Sequence, residues 1–409
     1  MTSSAEPTTD HHPPTGFFFR LRNVRVQIGA KLMLSYLLVI VFISGVFMVV
    51  GIRLVSSLIL SEAQEKVRND LNSAREIYNN QLNQIDTTVQ STASRFFLRD
   101  ALINGNLDAA FDELDRIKKA ENLDVLAITD KYGYVLIRTC NPDLTGDNQG
   151  SDTIINRTLY SKKPSAATII VSGEILQRDI PELAKQAYIE LIDTHLARER
   201  EETEITDGMM LKAAAPIFDY EGNLIGVVYG GVLLSKDYEI VDKIKQTVYE
   251  DVIYKGQDIG TATIFMDDVR ISTNVKNENG ERAIGTRVSE EVYNRVIVQG
   301  EPWIDRAYVV NNWYITAYEP IHDVYGRVIG ILYVGVLEQK YLDIQQRTIL
   351  TFLAITIAGA LISLVASYFL ARGIHIPIRK LVSASKEIAA GQLDTRVTVH
   401  TNDELQYLA

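Results

Sequence analysis

The chain has little of what catalytic and metal-binding proteins usually carry. It holds one cysteine, Cys140, in 409 residues, which excludes an internal disulfide and a metal site built from cysteines. It contains no glycine-rich phosphate loop ending in Lys-Ser or Lys-Thr, no His-Glu-x-x-His and no Gly-x-Ser-x-Gly. Its formal net charge of −11 argues against a nucleic-acid partner. We therefore expect no catalytic residue, metal or cofactor within this chain.

Charged residues are missing from two long segments. Residues 32–52 and 348–371 contain no Asp, Glu, Lys or Arg, and about 20 apolar residues in a helix cross the roughly 30 Å hydrocarbon core of a bilayer. Both segments are therefore predicted to be transmembrane helices. A cleaved signal peptide is the alternative for the first. The apolar run is too long for one, however, no small-residue cleavage site follows it, and Arg53 leads directly into a helical pattern.

Basic residues next to the two spans predict the orientation in the membrane. Lys and Arg concentrate on the cytoplasmic side. The basic residues before the first span are Arg20, Arg22, Arg25 and Lys31, and those after the second are Arg372, Arg379, Lys380 and Lys386. We expect 1–31 to be a cytoplasmic tail, both chain ends to lie in the cytosol, and the region between the spans to face the periplasm from the inner membrane of the cell.

Residues 53–101 are predicted to form a helical stalk beyond the first span. The stretch 61–101 lacks Pro and Gly, and its apolar residues recur at steps of three and four, which is typical of one helical stripe. These residues are Val67, Leu71, Ala74, Tyr78, Leu82, Ile85, Val89, Ala93 and Phe96. The stripe has two interpretations: it pairs with its copy in a homodimer, or it packs only on the chain's own domain.

Short strands separated by turn residues follow the stalk. Lys131-Tyr132-Gly133 lies between two runs rich in β-branched and aromatic residues, which predicts a hairpin. Pro181 stands near the start of a later helical pattern. The predicted elements are strands at 123–129, 134–139 and 166–172 and a helix at 180–200.

An internal repeat divides the middle of the chain. Residues 215–233 read APIFDYEGNLIGVVYGGVL and residues 319–337 read EPIHDVYGRVIGILYVGVL, with ten identities in nineteen positions. Each copy predicts a strand, an Asp-x-x-Gly turn and a second strand, because glycine accepts positive φ where the chain reverses. We expect an α+β fold with two antiparallel-sheet modules, 102–235 and 236–345, the second beginning with a helix at 236–254.

The repeated hairpin is similar to that of the Cache family of extracytoplasmic sensor domains. The sequence Pro-Ile-x-Asp-x-x-Gly-x-x-Ile-Gly in both copies, together with 138–142 and 312–321, carries this resemblance over roughly 60–345. The resemblance implies two PAS-like sheets with helices on one face. Module 102–235 would be membrane-distal and is called the distal module; module 236–345 would be membrane-proximal and is called the proximal module. Both would stand on a long stalk helix and be flanked by the two spans.

Residues 372–409 resemble a HAMP relay, here incomplete. A first amphipathic helix is opened by a proline, and a second begins at an Asp-Glu-Leu motif that Asn402 or Asp403 can cap. The relay residues implied by the resemblance are Pro377, Leu381, Ile388, Asp403 and Glu404. Because the second helix stops at Ala409, we expect the chain to be the input part of a longer receptor.

This architecture implies a receptor in the membrane that binds a small extracytoplasmic molecule and acts as a homodimer. Three outputs beyond the chain agree with it: an ATP-dependent sensor histidine kinase with its response regulator, a methyl-accepting chemotaxis receptor, or a nucleotide cyclase. Frequency in the family favours the histidine kinase of two-component systems. A membrane-anchored structural or transport-associated protein is the alternative from another class, although two spans form no transport pathway.

The resemblance also implies ligand-binding residues in the distal module. Related sensors of carboxylates use a strand arginine in an Arg-x-x-x-Pro context, and 138–142 has that spacing. We assign Arg138, Thr139 and Asn141 to the ligand, expected to be an organic acid, because a guanidinium offers a planar fork to a carboxylate. Lys212 is expected to add charge from across the sheet. The alternative is that Arg138 and Lys212 are exposed charges at strand ends.

A second candidate pocket lies in the proximal module. Arg270, Tyr314 and Tyr318 would give it aromatic walls and one cation. Because strand residues alternate between the two faces of a sheet, Trp313 and Tyr314 are predicted to point to opposite sides. Core packing is therefore the better interpretation for at least one of these two aromatic side chains.

Overall fold

The computed structural model describes residues 28–392, 394, 396–401 and 403–409. Contacts divide the chain into two compact units, Leu58–Ile344 and the pair of flanking segments Met1–Ser57 and Gln345–Ala409. The basic residues Arg20, Arg22 and Arg25, most of the predicted tail 1–31, and the proposed cap Asn402 lie outside the described residues.

The predicted stalk consists of two helices. Helix α1 is Ile28–Ala93 and helix α2 is Phe96–Ile103, separated by Arg95, whose backbone is extended at φ −66° and ψ 122°. The stripe residues Val67, Leu71, Ala74, Tyr78, Ile85, Val89 and Ala93 are all buried against the sheets of their own chain. These seven residues therefore pack on the chain's own domain, in agreement with the second interpretation of the stripe, whereas Phe96 at its end is 72% exposed.

The distal module is a five-stranded antiparallel sheet with short helices. Its strands are ordered β2-β1-β7-β6-β3 across the sheet. The helices are α3 (Leu107–Ala120), α4 (Thr153–Ser161), α5 (Gly173–Asp179) and α6 (Pro181–Ala187); the strands are β1 (Val125–Asp130), β2 (Val135–Arg138), β3 (Ser165–Val171), β4 (Ile189–Glu190), β5 (Glu204–Ile205), β6 (Gly208–Phe218) and β7 (Leu224–Leu233).

The proximal module repeats this topology. Its sheet has the order β11-β10-β14-β13-β12, again antiparallel throughout. The elements are α7 (Glu239–Tyr249), β8 (Ile253–Tyr254), β9 (Gln257–Asp258), β10 (Gly260–Met266), β11 (Val269–Thr273), α8 (Glu290–Tyr293), a π-helical turn (Asn294–Val298), β12 (Trp303–Val309), β13 (Asn312–His322) and β14 (Val328–Leu337). The predicted α+β class with two antiparallel-sheet modules is confirmed.

The repeated sequence forms the two central hairpins, β6–β7 and β13–β14. Gly222 and Gly326 take positive φ, 84° and 80°, at the turns. The Asp219 carboxylate accepts hydrogen bonds from the backbone N–H groups of Glu221 and Asn223, and Asp323 plays the same part in the second hairpin. The aspartate and glycine of each copy thus fix the chain reversal, as the sequence predicted.

Each sheet is buried on both faces. On β6, Met209 and Leu211 belong to the core that both modules share with α1. Met210 and Ala214 point to the other face, beneath α4, α5 and α6. Full burial of an aliphatic side chain of this size stabilises the fold by about 1.5–3 kcal/mol. Lys212 shares the second face with Met210 by the alternation of the strand.

Two predicted helices are shorter than expected. The helix predicted at 180–200 is wrong beyond Ala187, because the following residues form the two-stranded pair β4–β5 and a loop in which Leu196 has φ 67°. The helix predicted at 236–254 is limited to Glu239–Tyr249, and Glu250 ends it with φ 51°. The apolar spacing of the sequence continues beyond the C-terminal ends of both helices. Apolar residues there lie in the strands β4 and β8 instead of on a helical face.

The flanking unit contains two helices long and apolar enough to cross a membrane. These are the N-terminal part of α1 and helix α9, Glu338–Ala389. Within this unit Phe47 stacks on Phe352 at 6.5 Å between ring centroids. Helix α9 continues through Pro377, so the prediction that this proline opens a new helix is wrong.

The last described element is a short helix, α10, at Glu404–Tyr407. The Asp403 carboxylate accepts a hydrogen bond from the Leu405 N–H at 3.0 Å and caps it. This confirms Asp403 as the capping residue of the second relay helix.

Candidate functional site

A cavity of about 320 Å³ lies in the distal module, between the second face of the sheet and helices α4 and α5. The sheet contributes its floor through β2, β6 and β7, and the helices contribute its walls. The polar side chains that define its chemistry are Arg138, Gln149, Asp152, Asp179, Lys212 and Tyr229. A volume of this size accommodates a small organic molecule.

Arg138 is buried at the end of β2, only 2% exposed. Its Nη1 donates to the Leu144 carbonyl at 2.8 Å and its Nη2 to Asp147 Oδ2 at 2.8 Å. The Asp179 carboxylate lies 3.6 Å from the same nitrogen. Desolvation acts to lower the pKa of Arg138, but the hydrogen bond to Asp147 and the charge of Asp179 outweigh it, so its pKa is raised. The guanidinium is therefore held charged beside the cavity.

Gln149 connects the two carboxylates that face Arg138. Its Nε2 donates to Asp147 Oδ2 at 2.7 Å and to Asp179 Oδ2 at 2.9 Å. Asp179 also accepts a hydrogen bond from Arg178 Nε at 2.6 Å. Desolvation acts to raise the pKa of Asp147, but the hydrogen bonds from Arg138 and Gln149 outweigh it, so this pKa is lowered. Both carboxylates are thus fixed by several donors each.

Lys212 forms the second cationic group of the floor. Its Nζ donates to Asp152 Oδ2 at 2.6 Å and lies 4.8 Å from the centroid of the Tyr229 ring. The other oxygen of Asp152 caps α4 by accepting hydrogen bonds from the backbone N–H groups of Ile154 and Ile155. Lys212 is therefore positioned by an aspartate that the helix start itself holds in place.

The structure brings some of the predicted distal residues together and not others. Arg138 and Lys212 line the same cavity and are buried, so they are not exposed charges at strand ends. Thr139 is buried and its hydroxyl donates to the Leu126 carbonyl at 2.7 Å. Asn141 donates to the Asp179 carbonyl at 3.2 Å. Thr139 and Asn141 are outside the cavity lining and support the strand end and the Asp179 segment.

Sequence reasoning missed Asp147, Asp152 and Asp179, the three acidic partners of the cations, and Gln149, which bridges two of them. Asp152 had a local signal, because an aspartate directly before Thr153-Ile154-Ile155 is typical of a helix N-cap. Asp147 and Asp179 had none, since only the fold brings them to Arg138. Gln149 had none either, because it contacts these two carboxylates rather than a cation. The cavity lining contains three cations, Arg138, Arg178 and Lys212, and two carboxylates, Asp152 and Asp179, which gives a net charge of 3 − 2 = +1.

The predicted proximal residues share one buried cluster. Tyr314 and Tyr318 pack with Phe265 and Tyr333 on the second face of the proximal sheet, and Arg270 lies 5.2 Å from the Phe265 ring. Burial raises the pKa of Tyr314 to about 12. Trp313 is 43% exposed, as alternation predicted. A small cavity borders Arg270 and Tyr318 but not Tyr314.

The predicted relay residues lie on α9 and α10 in the flanking unit. Pro377 is buried, Leu381 is half-buried and Ile388 is 46% exposed. Asp403 and Glu404 form the start of α10. Among the described residues, no three His, Cys, Asp or Glu side chains are arranged to hold a metal ion.

Comparison with protein families identifies two domains. Residues 232–348 match the family described as Single cache domain 3, and residues 369–409 match the HAMP domain. The chain therefore carries a Cache sensor domain followed by a HAMP domain, which confirms the resemblance drawn from the sequence for the proximal module and for the relay. The distal module has the same strand order as the matched proximal module.

Several solved structures resemble the chain at low identity. The periplasmic domain of Vibrio cholerae LuxQ is 12% identical with a TM-score of 0.38, covering 66% of this chain and 98% of that one. The sensor domain of the V. cholerae histidine kinase DctB is 12% identical with a TM-score of 0.37, covering 68% of this chain and 98% of that one. The ligand-binding domain of the Pseudomonas aeruginosa PAO1 amino acid chemoreceptor PctB, in complex with L-Arg, is 12% identical with a TM-score of 0.34. The match covers 69% of this chain and 96% of that one. These scores are too low to inform on ligand or output, and no curated protein matches the chain.

Proposed function

We propose that the chain is the sensory input part of a transmembrane receptor that binds a small extracytoplasmic ligand in the distal cavity and passes the signal to its HAMP domain. The observation that carries this proposal is a 320 Å³ cavity with two buried cations, Arg138 and Lys212, at its floor. Buried charges at the floor of a cavity are typical of sites that orient a polar ligand.

The proposed ligand is a small organic acid. Three cations line the cavity, and the two lining carboxylates together with Asp147, which pairs with Arg138, compensate them. The proposal therefore rests on the hydrogen-bond donors of Arg138 rather than on the net charge. Arg138 uses one N–H for the Leu144 carbonyl and one for Asp147, and an arginine has five N–H donors in all. It therefore retains donors for a carboxylate. The two lining aspartates favour an α-amino acid as the second candidate ligand, since they would accept its ammonium group.

The proposed signal leaves the cavity through the segment that follows Asp179. Helices α5 and α6 lead into β4, and beyond it the Ile192 N–H donates to the Gly285 carbonyl of the proximal module at 2.9 Å. A ligand that binds one arrangement of this segment better than another shifts their populations by its difference in affinity. The receptor would act as a homodimer in which this shift changes the packing of the two spans and of the HAMP helices.

The proposed output is a histidine kinase. A chemotaxis receptor and a nucleotide cyclase are the alternatives, since HAMP domains precede all three. The complete protein, purified in nanodiscs and incubated with radiolabelled ATP, should acquire label on a histidine, and ligand should change the rate. Absence of histidine label with formation of a cyclic nucleotide would instead identify a cyclase.

The ligand proposal is tested by thermal shift of the chain in nanodiscs against mono- and dicarboxylic acids and α-amino acids. At least one acid is expected to raise the Tm and to bind in isothermal titration calorimetry. R138K should weaken that binding at least about tenfold, because the lysine keeps a cation beside Asp147 but removes the planar fork.

R327K is the matched control for R138K. The Arg327 side chain is 73% exposed in the β13–β14 turn, and among the described residues it forms an ion pair only with Asp323. It should bind the same acid with unchanged affinity. Equal affinity of R138K and the unsubstituted chain, or the absence of any stabilising small molecule, would refute the assignment of the distal cavity.

A further inference from the structure

Arg270 is a second buried arginine, in the proximal module. Its neighbours on β11, Val269 and Ile271, belong to the core shared with α1, so Arg270 projects to the opposite face. It is 3% exposed and lies 5.2 Å from the Phe265 ring centroid. The wall around it is therefore mostly aromatic, from the cluster that also contains Tyr318 and Tyr333.

Among the described residues, no carboxylate forms an ion pair with Arg270. Its Nη1 donates to Thr286 Oγ1 at 2.6 Å, and its Nε has no hydrogen-bond partner. Burial lowers its pKa, yet an arginine does not lose its proton in proteins. A buried permanent charge without a counter-charge is costly. The other buried arginine, Arg138, has two aspartates beside it, so the lack of an acid at Arg270 calls for an anion from solution.

A small cavity of about 40 Å³ borders Arg270. Arg270, Thr286 and Tyr318 line it from the proximal module, and Thr194 and His195 of the β4–β5 loop line it from the distal module. Arg287 also lines it, and its guanidinium shares the Asp268 carboxylate, at 2.6 Å, with Arg198 and Arg200. One water needs roughly 10–15 Å³ of such space. The cavity therefore has room for only a few heavy atoms.

We infer that the proximal module binds a small monovalent anion, such as chloride or formate, at Arg270 beside the β4–β5 loop of the distal module. Such an anion supplies the missing counter-charge and bridges Arg270 to the loop that carries Thr194 and His195. The site is not a copy of the distal one. In the distal sheet Arg138 lies opposite Ala127 in the strand register, and Ala127 lies opposite Tyr229 on its other side. In the proximal sheet the position equivalent to Arg138 is Thr273, which lies opposite Thr263, the partner of Tyr333.

The test measures thermal unfolding of the complete chain in nanodiscs at constant ionic strength, while gluconate is replaced stepwise by chloride or by formate. Gluconate is far larger than the cavity. Chloride and formate should each raise the Tm saturably, by about 5 °C at 100 times the dissociation constant. A Tm that is the same in gluconate, chloride and formate would overturn the inference.

Arg270→Met removes the charge and keeps an apolar side chain of similar length. This variant should fold, since an apolar replacement of a buried charge is often neutral or stabilising, and its Tm should no longer depend on the anion. R327K, at the exposed arginine of the β13–β14 turn that lines neither cavity, serves as the matched control and should keep the full anion response. Retention of the response in Arg270→Met would refute the assignment.

A direct measurement decides the matter if Arg270→Met does not fold. Crystals of the complete chain grown in bromide should show an anomalous peak within hydrogen-bond distance of the Arg270 guanidinium. Bromide peaks elsewhere with none at Arg270 would show that the anion effect on Tm comes from other sites, and the inference would fail.

Discussion

At the scale of residues, the distal cavity is governed by how its charges are paired. Arg138 is shared by Asp147 and Asp179, and Lys212 by Asp152 and the Tyr229 ring. A carboxylate ligand must compete with these aspartates for the same cations. The pairing compensates the buried charges of the cavity.

Asp147 gives a prediction about acid stability. Desolvation acts to raise its pKa, but the hydrogen bonds from Arg138 and Gln149 outweigh it and lower the pKa from its ordinary value of 3.8. Its stabilisation is therefore present above pH 3.8 and is lost as the pH falls through the lowered pKa. Asp147→Asn should lower the free energy of unfolding by about 1–3 kcal/mol at pH 7, and this difference should shrink towards about pH 2.

Denaturant unfolding at about pH 7, 4 and 2 measures this difference. Asp143→Asn, at an exposed carboxylate of the same loop, is the control and should behave like the unsubstituted chain at every pH. A difference for Asp147→Asn that stays constant over this whole pH range would contradict the pairing.

Asp268 gives a prediction about the contact between the modules. Its side chain is 0% exposed and accepts from Arg198 at 3.1 Å, Arg200 at 2.8 Å and Arg287 at 2.6 Å. Asp268→Asn leaves three cations without their shared counter-charge. We expect a loss of about 3–5 kcal/mol in the free energy of unfolding at pH 7.

The neighbouring Asp267 is the matched control for Asp268. It is 38% exposed, and its pKa is raised by desolvation and by the charge of Asp268, so its charged form is disfavoured by the fold. Asp267→Asn should change the stability at pH 7 by less than about 1 kcal/mol. Equal losses in the two variants would show that Asp268 has no special place between the modules.

At the scale of elements, the repeated hairpins explain why some glycines recur. A Cβ atom on Gly226 would lie 2.4 Å from the Thr129 carbonyl oxygen, and one on the equivalent Gly330 would lie 2.2 Å from that of Phe265. Gly226→Ala and Gly330→Ala should each destabilise their sheet by about 1–3 kcal/mol, because neither backbone carbonyl can move aside freely.

Gly222→Asn is the control for these substitutions. Gly222 has φ 84°, but a Cβ atom there would meet nothing within 4 Å, and asparagine tolerates left-handed backbone. Its cost should stay below about 1 kcal/mol. Thermal unfolding ranks the three variants, and a Gly222→Asn loss as large as that of Gly226→Ala would point to turn geometry rather than strand contact.

At the scale of the whole molecule, the two apolar helices and the basic residues beside them predict which parts face the outside. In a Cys140→Ser background, Tyr325→Cys places a thiol on the β13–β14 turn, where Tyr325 is 68% exposed. A membrane-impermeant maleimide should label it in intact spheroplasts. Ser385→Cys, exposed on α9, should react only after permeabilisation. The reverse pattern would contradict the predicted orientation.

The sequence by itself determined the features that depend on neighbouring residues. The hairpins with Gly222 and Gly326 followed from the repeat, the two apolar helices from their lack of charge, and the Asp403 cap from its position before Glu404. Each of these depends on backbone geometry or hydrophobicity within a few residues. Such features can be predicted without knowing which other elements pack against these residues.

Only the tertiary structure decided where the predicted surfaces and charges go. The α1 stripe packs on its own chain, Arg138 faces Asp179 rather than solvent, and Arg270 faces no acid among the described residues. The segment after Ala187 forms strands and a loop instead of a helix. Burial and charge pairing depend on residues distant in the chain. Periodicity predicts which face of a helix or strand is apolar, but it does not predict which element packs against that face.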